Sequence, residues 1–98
     1  MANSLKSAAF LMDSRLADAA LGNVQALFDL GVAYSTGSGG IDVDLIEAHK
    51  WFNLAALNGN EEAVYCRAEI SDEMTAREIA EAQKAARAWL NATQRRAA

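Results

Sequence analysis

The chain has 98 residues and a formal net charge of −4, from 13 acidic and 9 basic residues. This length predicts a single domain spanning residues 1–98, and the mildly acidic balance excludes strong non-specific binding to nucleic acid or anionic membranes, which need clustered Lys and Arg. Hydrophobic residues make up 52 % of the chain, aromatic residues only 7 %, and proline is absent, so the composition favours helices over sheets.

Apolar residues at spacings of three and four predict five helices joined by short links. We expect the first helix over about residues 4–21, ended by Gly22, and the second over about 24–35. A glycine-rich connection follows at residues 36–40. The N-terminal half of the chain is therefore predicted to be a helical hairpin followed by a flexible turn.

Two capping boxes mark helix starts in the second half of the chain. Asp44 and Glu47 open a third helix, predicted to run to about residue 58, because each side chain of such a pair accepts from the other residue's backbone N–H. A fourth helix is predicted over about 61–71. A second box, Thr75 to Glu78, opens a last helix to about residue 93.

Small residues predict where these helices cross closely. Gly31 costs about 1 kcal/mol relative to Ala inside a helix, so its presence suggests a crossing too tight for a methyl group. Ala48 is expected at a similar helix crossing. Trp51 and Phe52 are adjacent and cannot both point inward from one helix face, so we expect Trp51 to be partly exposed.

The chain also repeats itself. The segment 22–26 (Gly-Asn-Val-Gln-Ala) returns 37 residues later as 59–63 (Gly-Asn-Glu-Glu-Ala). A period of this length is typical of helical arrays, in which each unit buries its apolar face against its neighbours. The repeat therefore predicts a binding scaffold built around a surface offered to a partner.

Two motifs within the first period carry a family resemblance. Leu-Gly-x-x-Tyr at 30–34 and Ala-x-x-Trp-Phe-x-x-Ala-Ala at 48–56 resemble the Sel1-like repeat, a relative of the tetratricopeptide repeat. The resemblance implies an all-α fold in which about five antiparallel helices form a short right-handed α-α superhelix (solenoid). It also implies a non-enzymatic protein-interaction adaptor of a kind that is often bacterial.

The same resemblance divides the chain into units. It implies an N-terminal half-unit helix, one full repeat, a degenerate capping repeat and a tail, at residues 1–22, 23–59, 60–93 and 94–98. In the second repeat Arg67 and Ala68 stand in place of Leu30 and Gly31, a departure that suggests a closing cap.

In this family the first helix of each pair lines the concave face, and the resemblance therefore implies a partner-binding surface on the second and fourth helices. Its members are Gln25, Phe28, Val32, Ser35, Glu62, Tyr65, Glu69 and Asp72. Phe28 and Tyr65 are equivalent in the repeat, and with the carboxylates they suit a basic-amphipathic peptide or helix. Alternatively, both aromatics pack on neighbouring helices and the carboxylates are only solvated.

A second hypothesis places the interface at the ends of the solenoid. Leu5, Phe10 and Leu11 at one end, and Trp89 and Leu90 at the other, are expected to form apolar surfaces. Such ends would dock the chain as a structural subunit of a larger complex or pair it into a homodimer.

No residue pattern points to catalysis, a metal or a cofactor. His49 has no second ligand at metal-binding spacing and is expected to be a surface or boundary residue. Cys66, the single cysteine, is expected to be a buried or half-buried thiol that forms no intramolecular disulfide. The apolar run at residues 8–12 is too short to span a membrane. We therefore expect a soluble, cytoplasmic protein without membrane insertion.

Overall fold

The computed structural model describes the backbone of residues 2–97 and the side chains of residues 9–94. All regular structure in this part of the chain is helical. The helices are α1 (Ala2–Ala20), α2 (Val24–Thr36), α3 (Leu45–Leu57), α4 (Glu61–Ser71) and α5 (Ala76–Ala97), with a short 3-10 helix (Ser38–Gly40) between α2 and α3. The predicted all-α fold of five helices is confirmed. None of the described helices is long and apolar enough to cross a membrane.

The turn between α1 and α2 is a Schellman motif followed directly by a helix cap. Gly22, with φ of 87°, donates its N–H to the carbonyl of Ala19 at 2.9 Å, and Asn23 donates to the carbonyl of Asp18 at 3.0 Å. The Asn23 side chain then accepts from the backbone N–H of Ala26 at 3.0 Å. Two residues thus end one helix and start the next.

The turn between α3 and α4 repeats this geometry bond for bond. Gly59, with φ of 95°, donates to the carbonyl of Ala56 at 3.0 Å, and Asn60 donates to the carbonyl of Ala55 at 3.0 Å. The Asn60 side chain accepts from the N–H of Ala63 at 2.9 Å. The sequence period is therefore also a period of structure, in which α1 precedes α2 as α3 precedes α4.

The two capping boxes differ. At the start of α5 the box is complete, because the Thr75 N–H donates to Glu78 Oε1 at 2.8 Å and the Glu78 N–H donates to Thr75 Oγ1 at 3.1 Å. At α3 only half forms. Asp44 Oδ1 accepts from the Glu47 N–H at 3.1 Å, but the Asp44 N–H donates to the carbonyl of Tyr34.

The free Glu47 carboxylate binds within α3 instead. It accepts from Trp51 Nε1 at 2.9 Å and pairs with Lys50 Nζ at 3.0 Å. The Lys50 ammonium also lies 4.2 Å from the centroid of the Trp51 ring. This cluster fixes the orientation of the Trp51 side chain.

Helix α3 lies at the centre of the molecule. Helices α2, α4 and α5 all pack on it, and α1 packs on α2. The largest fully buried side chains are those of Leu30, Trp51, Phe52 and Leu54. By contrast, α4 and α5 make only slight direct contact with each other. The second helix pair is therefore held together mainly through α3.

The central position of α3 buries both of its adjacent aromatic residues. Trp51 is 2 % exposed and Phe52 is 1 % exposed, so the expectation of a partly exposed Trp51 was wrong. Phe52 packs on Phe28 of α2 with ring centroids 5.6 Å apart. Trp51 makes an edge-to-face contact with Trp89 of α5 at 4.7 Å. A helix with neighbours on two sides buries two adjacent side chains against different partners.

Gly31 is the contact point between α2 and α3. A Cβ atom at this residue would lie 2.5 Å from Cδ1 of the Phe52 ring, which is too close for any real contact. The prediction of a crossing too tight for a methyl group is confirmed. The position equivalent to Gly31 in α4 is Ala68, and the position equivalent to Phe52 in α5 is Trp89.

Candidate protein-binding surface

The α2 members of the predicted surface are largely turned toward the core. Phe28 is half-buried and packs on Phe52, and Val32 is half-buried against the same core. Ser35 donates its hydroxyl to the carbonyl of Val32 at 3.1 Å. Gln25 is the exposed member of the set. Helix α2 therefore offers little side-chain area to a partner.

The α4 members lie on the solvent side of their helix. All four are exposed: Glu62, Tyr65, Glu69 and Asp72. Tyr65 is 76 % exposed and borders an open cleft of about 320 Å3 together with Glu61 and Val64. Helix α4 therefore presents an accessible aromatic ring beside exposed carboxylates.

Phe28 and Tyr65 therefore share a repeat position but not an environment. The Phe28 ring is covered by Phe52 of α3, whereas the residue equivalent to Phe52 in α5, Trp89, packs on Trp51 instead of on α4. The two aromatic residues are equivalent in the sequence repeat, but the structure buries one more deeply than the other. The difference in exposure could not be read from sequence, because it depends on where α5 lies.

Cys66 lies on α4 between two carboxylates of this surface. Its side chain is half-buried, as expected. Burial raises the pKa of the Cys66 thiol, and the charges of Glu62 and Glu69 raise that pKa further. The thiol therefore stays protonated near neutral pH, which makes it a poor nucleophile.

His49 is buried, contrary to the expectation of a surface or boundary residue. It is 3 % exposed, and its Nδ1 atom is enclosed without a hydrogen-bond partner. Burial lowers the pKa of His49, and the nearby Arg67 guanidinium lowers that pKa further. Arg67 itself donates from Nη1 to Asn53 Oδ1, which ties α4 to α3. The central position of α3, which local periodicity does not reveal, explains this burial.

The hypothesis that both solenoid ends are apolar agrees with the described residues at only one end. Phe10 is 74 % exposed and Leu11 is 48 % exposed on α1, while the Leu5 side chain lies outside the described residues. Trp89 and Leu90 of α5 are half-buried and pack on the core. The expectation of an apolar end at these two residues was therefore wrong.

Beside Leu11 lies a second cleft, of about 280 Å3, between α1 and α2. Most of its lining is polar: Leu11, Ser14, Arg15, Asp18, Asn23, Gln25, Ala26 and Asp29. Gln25 Nε2 donates to Asp29 Oδ1 at 2.9 Å across one turn of α2. Within the described residues, no group of three or more His, Cys, Asp or Glu side chains is placed to hold a metal ion.

The family model of the Sel1 repeat matches residues 24–60. The chain contains a Sel1 repeat. The match begins at the first residue of α2, includes all of α3 and ends at Asn60, the N-cap of α4. Sel1 repeats generally mediate protein–protein interaction. Comparison with curated proteins and with solved structures gave no match.

Proposed function

We propose that this Sel1 repeat chain is a non-enzymatic adaptor that captures a peptide or helix of a partner protein. The observation that carries the proposal is Tyr65, which is 76 % exposed on α4 with Glu62 and Glu69 exposed one turn away on either side. Interfaces are anchored by a few such aromatic residues that become fully buried on binding. Tyr65 is thus the anchor of the proposed site.

The charges around Tyr65 select the partner. Glu62, Glu69 and Asp72 are exposed carboxylates on the same helix, and the whole chain carries a net charge of −4. A partner segment with Lys or Arg beside an apolar anchor complements this surface and is steered toward it. Because the carboxylates are exposed, binding weakens as salt rises.

The repeat organisation belongs to the same proposal. Residues 1–22 correspond to the second half of a preceding unit, 23–59 to a full repeat and 60–93 to a degenerate capping repeat. The predicted tail at 94–98 is mostly helix instead, because α5 continues to Ala97. The identical turns at Gly22 and Gly59 support this division. We place the protein in the cytoplasm, in keeping with its single cysteine.

The test is affinity capture from native cell lysate, followed by mass spectrometry, with Tyr65→Ala beside wild type. Phe28 is the less informative target because its ring packs on Phe52. Leu21→Ala is the matched control, since Leu21 is 87 % exposed and lies outside this surface. A protein retained by wild type and by the control but lost by Tyr65→Ala supports the proposal. Equal retention by all three contradicts it.

A charge-reversal pair tests the acidic part of the surface. We expect Glu62→Lys combined with Glu69→Lys to lower affinity for the captured partner about tenfold or more, because attraction becomes repulsion. Glu81→Lys combined with Asp13→Lys, at exposed residues of α5 and α1, makes the same change in net charge and is the control. Equal losses in the pair and the control would assign the effect to overall charge and contradict a local acidic site.

A second candidate function is docking as a subunit of a larger complex through the α1 end. Phe10, 74 % exposed, and Leu11, 48 % exposed, favour it. The alternative is contradicted if the Phe10→Ser variant captures the partner as well as wild type does. It is favoured over the α4 site if Phe10→Ser loses the partner and Tyr65→Ala retains it.

A further inference from the structure

Within the part of the chain that the structure describes, no helix packs over one face of α4, whereas α3 covers the counterpart of that face on α2. On α2 this face consists of Leu27, Phe28 and Gly31, and α3 packs over it with the Phe52 ring against Gly31. Leu27 on this face is 2 % exposed. In this repeat, the face of α2 is therefore covered by α3.

The equivalent face of α4, 37 residues later, consists of Val64, Tyr65 and Ala68. Val64 is 41 % exposed, Tyr65 is 76 % exposed, and Ala68 is exposed. The open cleft of about 320 Å3 lies against Val64 and Tyr65. We call Val64, Tyr65 and Ala68 the open face of α4.

A local sequence change accompanies the open face. The Phe52 ring packs closely on α2 because Gly31 has no Cβ atom. Helix α4 has Ala68 at that position, and the larger Trp89 stands where α3 has Phe52. Trp89 packs on Trp51 of α3 instead. Helix α5 consequently lies against α3 and leaves the open face of α4 uncovered.

Helix α1 has the complementary property. The matching turns make α1 the structural counterpart of α3, the helix type that covers such a face. Leu11 and Arg15 of α1 stand where α3 has Ala48 and Phe52. Leu11 is 48 % exposed and its neighbour Phe10 is 74 % exposed. Leu11 and Arg15 border the open cleft between α1 and α2, so α2 covers this side of α1 only in part.

We infer that the open face of α4 binds α1 of a second copy of the chain, head to tail. In the register of α2 and α3, Leu11 of the second copy packs over the open face. Its Arg15 takes the place of Phe52 and lies over the Tyr65 ring, where a guanidinium is attracted to the aromatic face. Glu61, at the edge of the cleft, provides a nearby negative charge.

The contact between the open face of α4 and α1 of a second copy determines what type of assembly can form. A head-to-tail contact between different faces is heterologous, so it adds further copies unless the geometry closes a ring. It also lengthens the array, which matters because helical arrays gain stability from at least three stacked units. The inference does not rest on capture of another protein. It shares Tyr65 with the proposed capture site and Leu11 with the alternative docking end, whereas Val64 belongs to neither.

The test is sedimentation velocity of the purified 98-residue chain from micromolar to millimolar concentration. Wild type is expected to grow in mass with concentration. Val64→Glu blocks the open face and Leu11→Glu blocks α1, so each variant alone stays monomeric. A mixture of the two variants forms a one-to-one dimer and nothing larger, because each variant keeps one intact face.

Because the substituted side chains are exposed, we expect these variants to fold. Leu21→Glu, at a residue 87 % exposed, is the matched control and is expected to assemble like wild type. Phe10→Glu is a second α1 variant should Leu11→Glu unfold, as judged by circular dichroism. A wild type that stays monomeric throughout overturns the inference. If Leu11→Glu abolishes self-association but Val64→Glu preserves it, the inference is overturned in favour of a symmetric α1–α1 dimer.

Asp18 provides a gain-of-function test. Asp18 stands where α3 has Ala55, a small residue that is fully buried. In the docked register the Asp18 carboxylate would therefore lie near that of Glu61, and the two negative charges would repel each other. Asp18→Ala is therefore expected to strengthen self-association several-fold. Unchanged or weaker association of a folded Asp18→Ala variant contradicts the proposed register.

Discussion

At the scale of single residues, the contact between Gly31 and Phe52 sets the distance between the two helices of the Sel1 repeat. Phe52 is 1 % exposed, and its ring occupies the volume that a side chain at Gly31 would need. Because a buried ring held on several sides cannot move freely, a larger residue at position 31 must push the helices apart.

We expect Gly31→Ala to destabilise the protein by about 1–2 kcal/mol, since overpacking outweighs the better helix propensity of Ala. The measurement is urea unfolding followed by circular dichroism. Ala68→Gly, at the equivalent but exposed position, is the control and should cost about 1 kcal/mol from propensity alone. A Gly31→Ala protein as stable as wild type or more stable would contradict this packing.

His49 predicts a pH dependence of stability. Burial and Arg67 lower its pKa in the folded state, so the unfolded chain takes up the proton first as the pH falls. The stabilisation from neutral His49 is present above its unfolded pKa of about 6.5 and is lost as the pH drops below that value.

The measurement is the free energy of unfolding between about pH 8 and pH 5 for wild type and His49→Gln. Because His49 is the single histidine, the variant removes this titration and leaves the carboxylates in place. We expect wild type to lose more stability than the variant on acidification. Parallel curves would show that His49 is free to take up a proton in the folded protein.

At the scale of elements, the repeated turn is the unit that sequence defines best. Asn23 and Asn60 make the same cap at nearly the same distance. We therefore expect Asn23→Ala and Asn60→Ala to cost about 1 kcal/mol each, with additive effects in the double variant because the caps share no partner. Thermal unfolding provides the comparison. A large cost at one cap and none at the other would contradict structural equivalence of the turns.

Much of the helical framework could be predicted from the sequence because helix signals are local. Glycine and asparagine at the turns, and the Thr75–Glu78 box, specify helix ends through bonds within a few residues. The burial of His49 and Trp51 could not be predicted in this way, because it depends on helices that pack on α3 from different sides. The open face of α4 depends likewise on the position that Trp89 adopts.

At the scale of the whole molecule, α3 organises the fold and α4 presents the candidate surface. Because α2, α4 and α5 pack on α3, amide hydrogen exchange should be slowest in α3, where opening requires the loss of most of the core. We expect faster exchange in α4, which has an exposed outer face. Mass-spectrometric exchange measures both, and slower exchange in α4 than in α3 would contradict a central α3.

The central claim is that the exposed side of α4 around Tyr65 is where the chain meets its partner. The most direct measurement is site-specific photo-crosslinking in cells, with a photoreactive phenylalanine analogue placed at position 65 and, as a control, at position 21. The account predicts adducts to another protein from position 65, lost when Glu62→Lys and Glu69→Lys are added, and none to that protein from position 21. Adducts from position 65 only to a second copy of the chain, or adducts from position 21 alone, would contradict it.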